Sequence, residues 1–309
     1  MSGASSHPEA GMRHTPCLFC DGAEDRELYP AILDRERLNG YTFSARRERE
    51  REHYRIVACR RCGLVRSDPV LEAAELDLLY ADSTFLFAEE APFAARTYRE
   101  LLQSLNRRHG CHLKSLLEIG CSTGFFLQQA VESGIAEVMG FEPSTHCRAA
   151  ADAAIRERIV TAPFDPVRVG ERRFDLACGF QVIDHLPDPL GTVRDMVSVL
   201  NDPGWILLVC HDVRSWSARL LGEASPIFDV EHIYLFDRNT LGRLLEKVGV
   251  EVLEVGSLSN TYPLGYWMRM TPGMAPVARL LPDWLTDRPV GLRAGNLYAF
   301  GKVSGRKVP

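Results

Sequence analysis

Residues 116–127 read LLEIGCSTGFFL. An apolar run ends on Glu118, Gly120 and Gly124 bracket a tight turn, and Phe125 opens a segment with helical spacing. A strand, turn and helix in this order leave free backbone N–H groups at the helix start, and the glycines let the backbone come close to a ligand. A dinucleotide fingerprint requires G-x-G-x-x-G at this place, and Gly120-Cys-Ser-Thr-Gly124 does not have that spacing.

Downstream of Lys114 short apolar runs alternate with helical patterns. The runs are SLLEI, AEVMGF, RFDLACGF and GWILLVC, and helices are expected from Phe125, Ser144 and Asp188. The Asp188 helix places Leu190, Val193, Met196, Val197 and Leu200 on one face, and the helix around Leu241 repeats this with Leu244, Leu245 and Val248. Strands alternating with helices of this length predict βαβ units and a parallel sheet covered on both faces. VEVLEVGSL and NLYAFGKV add two further strands, and residues 262–288, rich in Pro, Met, Trp and Leu, read as a helical insertion. The α/β domain is expected over residues 114–309.

Upstream the chain has a different character. Residues 1–13 read as a disordered tail, and residues 14–70 as a small polar module with a charge run from Arg46 to Glu52. Residues 71–113 read as two bridging helices, the second with Tyr98, Leu101, Leu102 and Leu105 along one face. Four of the nine cysteines form two Cys-x-x-Cys pairs, Cys17 with Cys20 and Cys59 with Cys62, separated by 38 intervening residues. An odd total, with no secretion signal in front, argues against a disulfide framework, and the paired four have the character of metal ligands. Two thioredoxin-like redox pairs are the alternative, and neither pair sits in a βαβ frame.

The chain has 309 residues and a formal charge of −5, so it lacks the basic footprint that holds a phosphate backbone. Nucleic acid is a disfavoured partner. No apolar window has the length of a membrane span, and the expected location is the cytoplasm.

The turn at 118–124 resembles motif I of class I S-adenosylmethionine-dependent methyltransferases, an acidic residue followed by G-x-G-x-G, with Ser122 standing where the middle glycine usually is. The resemblance implies a Rossmann-like α/β fold with a seven-strand sheet and a small N-terminal zinc module. It assigns Glu118, Gly120, Cys121, Ser122, Gly124 and Phe125 to the cofactor. By the same resemblance Glu142, followed by Pro143, takes the ribose hydroxyls. TAPFD then offers Ala162, Phe164 and Asp165 to the adenine, although Phe164 as plain core fits nearly as well. RFDLACGFQVIDHLPDP resembles motif IV, which brings in Gln181, Asp184 and His185. His211-Asp212 follows the fifth strand, where open parallel sheets place ligands.

The stretch SPIFDVEHIYLF resembles the zinc-containing sugar C-methyltransferases, whose Tyr-x-Glu-His motif carries a histidine base. Glu231 and His232 match, and Asp229 replaces the tyrosine. That likeness makes His232 the expected base, supported by Glu231, with His185 second and Asp184 beside it. Those enzymes also begin with CxxC, an insert and CxxC. Cys17, Cys20, Cys59 and Cys62 would then hold one Zn²⁺, and four protein ligands leave no open position, which makes it structural. They carry a further C-terminal domain that this chain is too short to hold. The expected function is methyl transfer from S-adenosylmethionine to carbon or oxygen of a small molecule, such as a natural product or sugar-like metabolite. An RNA methyltransferase gripping its substrate through the zinc module, and a non-catalytic cofactor-binding regulator, are the alternatives.

Overall fold

A computed structural model of the chain describes residues 11–21, 24–44, 52–271 and 273–305. Residues 1–10 of the expected tail, and residues 46–51 of the charge run, lie outside them. Met12–Arg13, placed in the tail by the sequence, form a short strand β1.

The N-terminal module is built from β2 (Asp25–Tyr29), β3 (Ile56–Cys59), β4 (Val65–Ser67) and β5 (Val70–Leu71). β1 pairs with β5, while β2, β3 and β4 form an antiparallel sheet. Helices α1 (Ala73–Ala81) and α2 (Ala91–His109) follow. α2 stops because Gly110 takes the left-handed conformation at φ 65° and returns its N–H to Asn106. Its buried face carries Tyr98, Leu101, Leu102 and Leu105. Tyr98 stacks on Phe180 at 4.2 Å between ring centroids, which fixes the bridge onto the main domain.

The main domain continues as β6 (Ser115–Ile119), α3 (Phe125–Glu132), β7 (Glu137–Phe141), α4 (Thr145–Ala150), α5 (Ala153–Arg156) and β8 (Ile159–Val160). Next come α6 (Pro166–Val169), β9 (Phe174–Phe180), α7 (Pro189–Ser198), β10 (Leu200–His211) and α8 (Trp216–Leu221). The chain then forms β11 (Tyr234–Leu235), α9 (Arg238–Lys247), β12 (Glu251–Pro263), α10 (Leu264–Met270), α11 (Ala275–Ala278), α12 (Asp283–Thr286) and β13 (Pro289–Val303). The seven-stranded sheet has the order β12-β13-β10-β9-β6-β7-β8. β8, β7, β6, β9 and β10 run parallel, and β13 lies antiparallel to both β10 and β12. The strand order reverses beside β6, so the crevice outside the carboxyl ends of β6 and β9 is where a ligand fits this sheet.

The central strands are apolar throughout because both faces are covered: Leu116 and Leu117 of β6 and Leu176, Ala177 and Cys178 of β9 are fully buried. α7 starts where Asp188 caps it and Pro189 takes its first position. It ends at Ser198, and Leu200, which the periodicity assigned to the helix face, begins β10 instead. Residues 262–288 are not wholly helical either. β12 runs on to Pro263 and pairs with β13 as far back as Pro289, so the hairpin projects past the sheet before the three short helices close it. No helix among the described residues is long and apolar enough to cross a membrane.

Candidate active site

Gly120 and Gly124 both have positive φ, at 63° and 71°. A Cβ on Gly124 would lie 2.5 Å from Ile155 Cγ2, and one on Gly120 would lie 2.7 Å from Val182 Cγ2, so neither position tolerates a side chain. Between them Ser122 takes φ 50° without the freedom of glycine. Its backbone N–H donates to Glu142 Oε2 at 2.8 Å, and that of Ser144 donates to Glu142 Oε1 at 2.9 Å. Glu142 is thereby held at the tip of β7 facing the turn. Each of its oxygens keeps a second lone pair for a further donor.

Glu118 closes β6 with its side chain fully enclosed, and Oε2 has no hydrogen-bond partner. Burial, and after it the neighbouring Glu142, push its carboxyl well above the usual range. Burial also raises Glu142, against the pull of its two backbone donors. Gln181, at the end of β9 with φ 56°, likewise carries a buried Oε1 without a partner. Buried acceptors of this kind are costly unless something donates to them. Cys121 is buried behind the turn, Phe125 begins α3, and Pro143 follows Glu142. Phe164 packs edge-on against Phe141 at 5.1 Å with Ala162 nearby in sequence and half-buried, and Asp165 caps α6. Glu118, Glu142, Gln181 and the glycine turn thus meet at one crevice. The unpaired oxygens of Glu118 and Gln181 and the remaining lone pairs of Glu142 suit a ligand rich in donors and positive charge, as S-adenosylmethionine is.

Beyond Gln181 the turn after β9 presents Asp184 and His185. Asp184 is fully buried, and Oδ2 accepts from His211 Nδ1 at 2.7 Å while Oδ1 makes no hydrogen bond and lies 3.8 Å from His185 Nε2. The rings of His211 and His185 lie 4.6 Å and 4.8 Å from that of His232. His232 Nδ1 donates to the Ile227 carbonyl at 2.9 Å, which leaves Nε2 with its lone pair. The partner that orients this ring is therefore a backbone carbonyl, where the sequence reading had given the supporting role to Glu231. Burial, and after it the charge of Glu231, push the Tyr80 hydroxyl up. Tyr80 Oη lies 3.0 Å from His185 Nδ1, so α1 reaches into the cluster.

Burial alone would raise Asp184, but the His211 hydrogen bond and the surrounding imidazoles hold it well below the ordinary carboxylate range. Burial pushes His232 far down, and His211 and His185 push it further. Burial also lowers His185, against the pull of Asp184. A histidine whose folded value is depressed contributes stability above its unfolded value, about 6.5, and that contribution is lost as pH falls below it. The thermal midpoint is expected to drop between about pH 6.5 and 5. In His232→Asn that drop should be shallower, and an unchanged slope would show that His232 is not buried in its neutral form.

The loop bearing His232 is held from two sides. Ile233 and Tyr234 donate backbone N–H to the Asp184 carbonyl at 2.8 Å and 3.1 Å. Ser67 Oγ donates to the His232 carbonyl at 2.7 Å, and β11 pairs antiparallel with β4, so the N-terminal sheet takes this loop as its edge strand. At the other end of the same sheet Cys17, Cys20, Cys59 and Cys62 converge with all four sulfurs within 4.8 Å, and Cys17 Sγ lies 3.4 Å from Cys62 Sγ. Burial and the neighbouring thiols raise Cys17 to about 11. Cys59 falls to about 7, because backbone N–H groups of Cys62 and Arg61 outweigh its burial. Four convergent thiols suit a tetrahedral zinc.

A family described as a methyltransferase domain matches residues 87–255, more than half of the sequence. The chain belongs to the methyltransferase domain family. The matched stretch holds the glycine turn, Glu142, Gln181 and the histidine cluster. This is a class I S-adenosylmethionine-dependent methyltransferase domain on a seven-stranded Rossmann-like sheet. Among curated proteins it is 26% identical over 165 residues to a tRNA U34 carboxymethyltransferase of Aliarcobacter butzleri, covering 52% of this chain and 54% of that one. It is 22% identical over 170 residues to a ubiquinone biosynthesis O-methyltransferase of Nitrosospira multiformis, covering 49% of this chain and 71% of that one. The chain thus spans about half the length of the first relative. Among solved structures the plantazolicin methyltransferase BpumL, in complex with a monoazolic desmethylPZN analog and SAH, superposes with a TM-score of 0.50 at 15% identity over 71% of this chain and 87% of that one. That likeness concerns the fold.

Sequence reasoning noted His211 at its strand end but did not place it in the site, and it passed over Tyr80 and Ile227. The carboxyl end of a central parallel strand was the available signal for His211. Nothing local marks Tyr80 or the Ile227 carbonyl.

Proposed function

We propose that this methyltransferase moves a methyl group to a carbon or oxygen nucleophile of a small-molecule acceptor, with His232 as the base that takes the acceptor's proton. The observation that carries this reading is the meeting of three imidazoles over a buried, ionised Asp184 beside the cofactor crevice. An acceptor that is already nucleophilic needs no such cluster, whereas an enolisable C–H or a hydroxyl does.

S-Adenosylmethionine, when bound, supplies a methyl group already activated on a sulfonium. Gly120, Ser122 and Gly124 would carry the backbone that meets it, Glu142 the acceptor for its hydroxyls, and Glu118 and Gln181 the acceptors for its donors. His232 offers Nε2 to the proton, and the Ile227 carbonyl keeps the opposite nitrogen protonated. Asp184 orients His211 and lends negative charge to the cluster when a proton arrives. The remaining task is alignment of donor and acceptor away from water. Cys17, Cys20, Cys59 and Cys62 would hold one structural Zn²⁺, which leaves no ligand position for chemistry.

Calorimetry tests the cofactor half. One S-adenosylhomocysteine site per chain is expected, and Glu142→Ala should weaken it by about 1.5–3 kcal/mol, the usual cost of a hydrogen bond to a charged group. Stronger binding of NAD than of S-adenosylhomocysteine would refute the reading. Formation of S-adenosylhomocysteine with a screened acceptor tests the other half and excludes a purely regulatory role.

A further inference from the structure

Asp184, His211 and His232 bring one carboxylate and two imidazoles together, and one ligand atom of each lies within 4.8 Å of the other two. They come from three separate segments: the turn after β9, the last residue of β10 and the loop before β11. Nitrogen and oxygen ligands stand about 2.0–2.2 Å from a zinc-sized ion, and hence roughly 3.5 Å from one another. A small inward turn of the side chains is all that separates this cluster from a chelate.

A carboxylate among imidazoles is also the ordinary frame of a general base, so the unused acceptors decide between the two. Asp184 Oδ1 is fully enclosed and makes no hydrogen bond, and His185 Nε2 lies 3.8 Å from it. Orienting His211 occupies only Oδ2, so the base reading gives Oδ1 nothing to do. A buried charged oxygen left in this way is costly, and a cation satisfies it. His232 gives Nδ1 to the Ile227 carbonyl, which fixes the tautomer and leaves the Nε2 lone pair available. A backbone carbonyl in that position is the usual outer partner of a metal-bound histidine. His211 is 21% exposed, so an ion can reach the cluster from one side.

The donor set selects the ion. Two nitrogens and one oxygen favour Zn²⁺, Co²⁺ or Ni²⁺ over Mg²⁺ and Ca²⁺, which take oxygen ligands. Three protein ligands also leave open positions, where the four cysteines leave none.

We propose that Asp184, His211 and His232 form a site for one divalent first-row transition ion, separate from the cysteine cluster. With three protein ligands it holds its ion more loosely than four thiolates do. The ion takes the lone pair of His232 Nε2, the same one that would receive the acceptor's proton. Metal binding and proton abstraction are then alternatives, and an occupied site switches the base off. That consequence, unlike the site itself, rests on the reading of His232 as the base.

Cobalt(II) is the probe, added to the full chain after the cysteines have been filled with zinc and looser metal removed by gel filtration. Calorimetry should show one cobalt site per chain, and the visible spectrum should lack the sulfur-to-cobalt charge-transfer band that marks thiolate ligands. Loss of an outer partner costs a metal site about 10–100-fold in affinity, so His211→Ala and His232→Asn, which remove ligands, should each weaken binding at least that much. His211 is the more exposed of the two, and its variant suffices if His232→Asn fails to fold. With an acceptor that supports turnover, formation of S-adenosylhomocysteine should fall in step with cobalt occupancy and recover on dilution into cobalt-free buffer. Absence of a cobalt site, cobalt bound only with a thiolate band, or binding indifferent to both variants overturns the proposal. If cobalt binds through the histidines while turnover stays level or rises at full occupancy, the base reading falls and the metal site stands.

Discussion

His232→Asn is expected to lower kcat by about 10²–10⁴-fold with any acceptor that supports S-adenosylhomocysteine formation, the usual cost of losing a general base. Cofactor affinity should be unchanged, because the ring lies on the acceptor side of Gln181 and touches none of the groups around Glu142. Burial and two neighbouring imidazoles hold His232 well below its ordinary value, so it is neutral and competent at pH 7. The acidic limb of kcat/KM should therefore fall below the ordinary histidine range of about 6.5, and it should be absent in the variant. His211→Asn and His185→Asn are the matched comparisons. His211 is also oriented by a carboxylate, and its Nε2 makes no hydrogen bond among the described residues. Near-normal turnover in His232→Asn, with none in His211→Asn, would reassign the base to the Asp184–His211 pair. If none of the three matters, the acceptor carries its own nucleophile and alignment alone suffices.

Removal of the zinc proposed for the cysteine cluster should be nearly as severe, although four protein ligands would leave that metal no position for chemistry. About one equivalent of zinc per chain is expected, and chelation should unfold the N-terminal module, because binding energy at a structural zinc is folding energy. β4 lies beside that cluster and holds β11, and Ser67 holds the carbonyl of His232. A misplacement on the order of 1 Å at a reacting group costs about 10² in rate, so turnover should drop by at least that much. S-Adenosylhomocysteine binding should survive, because the glycine turn and Glu142 belong to the other sheet. Metal-free protein with unchanged stability and turnover would show that the four cysteines are not a zinc site. Cys59→Ser should reproduce the effect of the chelator.

The parallel core was legible in the sequence because strands buried on both faces are written as apolar runs, and SLLEI and RFDLACGF fall within a residue of β6 and β9. β8 went unseen, since Ile159–Val160 is too short to carry a period. Leu200 was misassigned because helical spacing continues by chance one residue beyond the Ser198–Val199 end of α7 and into β10. The glycine turn was legible because its chemistry is local. The acceptor side was legible only in part. Asp184, His185, His211 and His232 come from three separate segments, and Tyr80 arrives from the bridge. No local pattern can report a hydrogen bond across 105 residues, such as that of Tyr80 with His185.

The pairing of β4 with β11 also bears on the order of assembly. Synthesis delivers β2, β3 and β4 early, but the strand that completes their sheet is residues 234–235, after most of the seven-stranded sheet has emerged. Tyr234 Oη to the Pro16 carbonyl and Arg13 to the Pro187 carbonyl close loops of 218 and 174 residues. Contacts that distant form late and slowly. Until then β4 is an open edge, able to pair with another chain. In a nascent molecule this sheet, begun before the methyltransferase core, is thus finished after most of it, and the time its edge stays open is set by how quickly that core folds behind it.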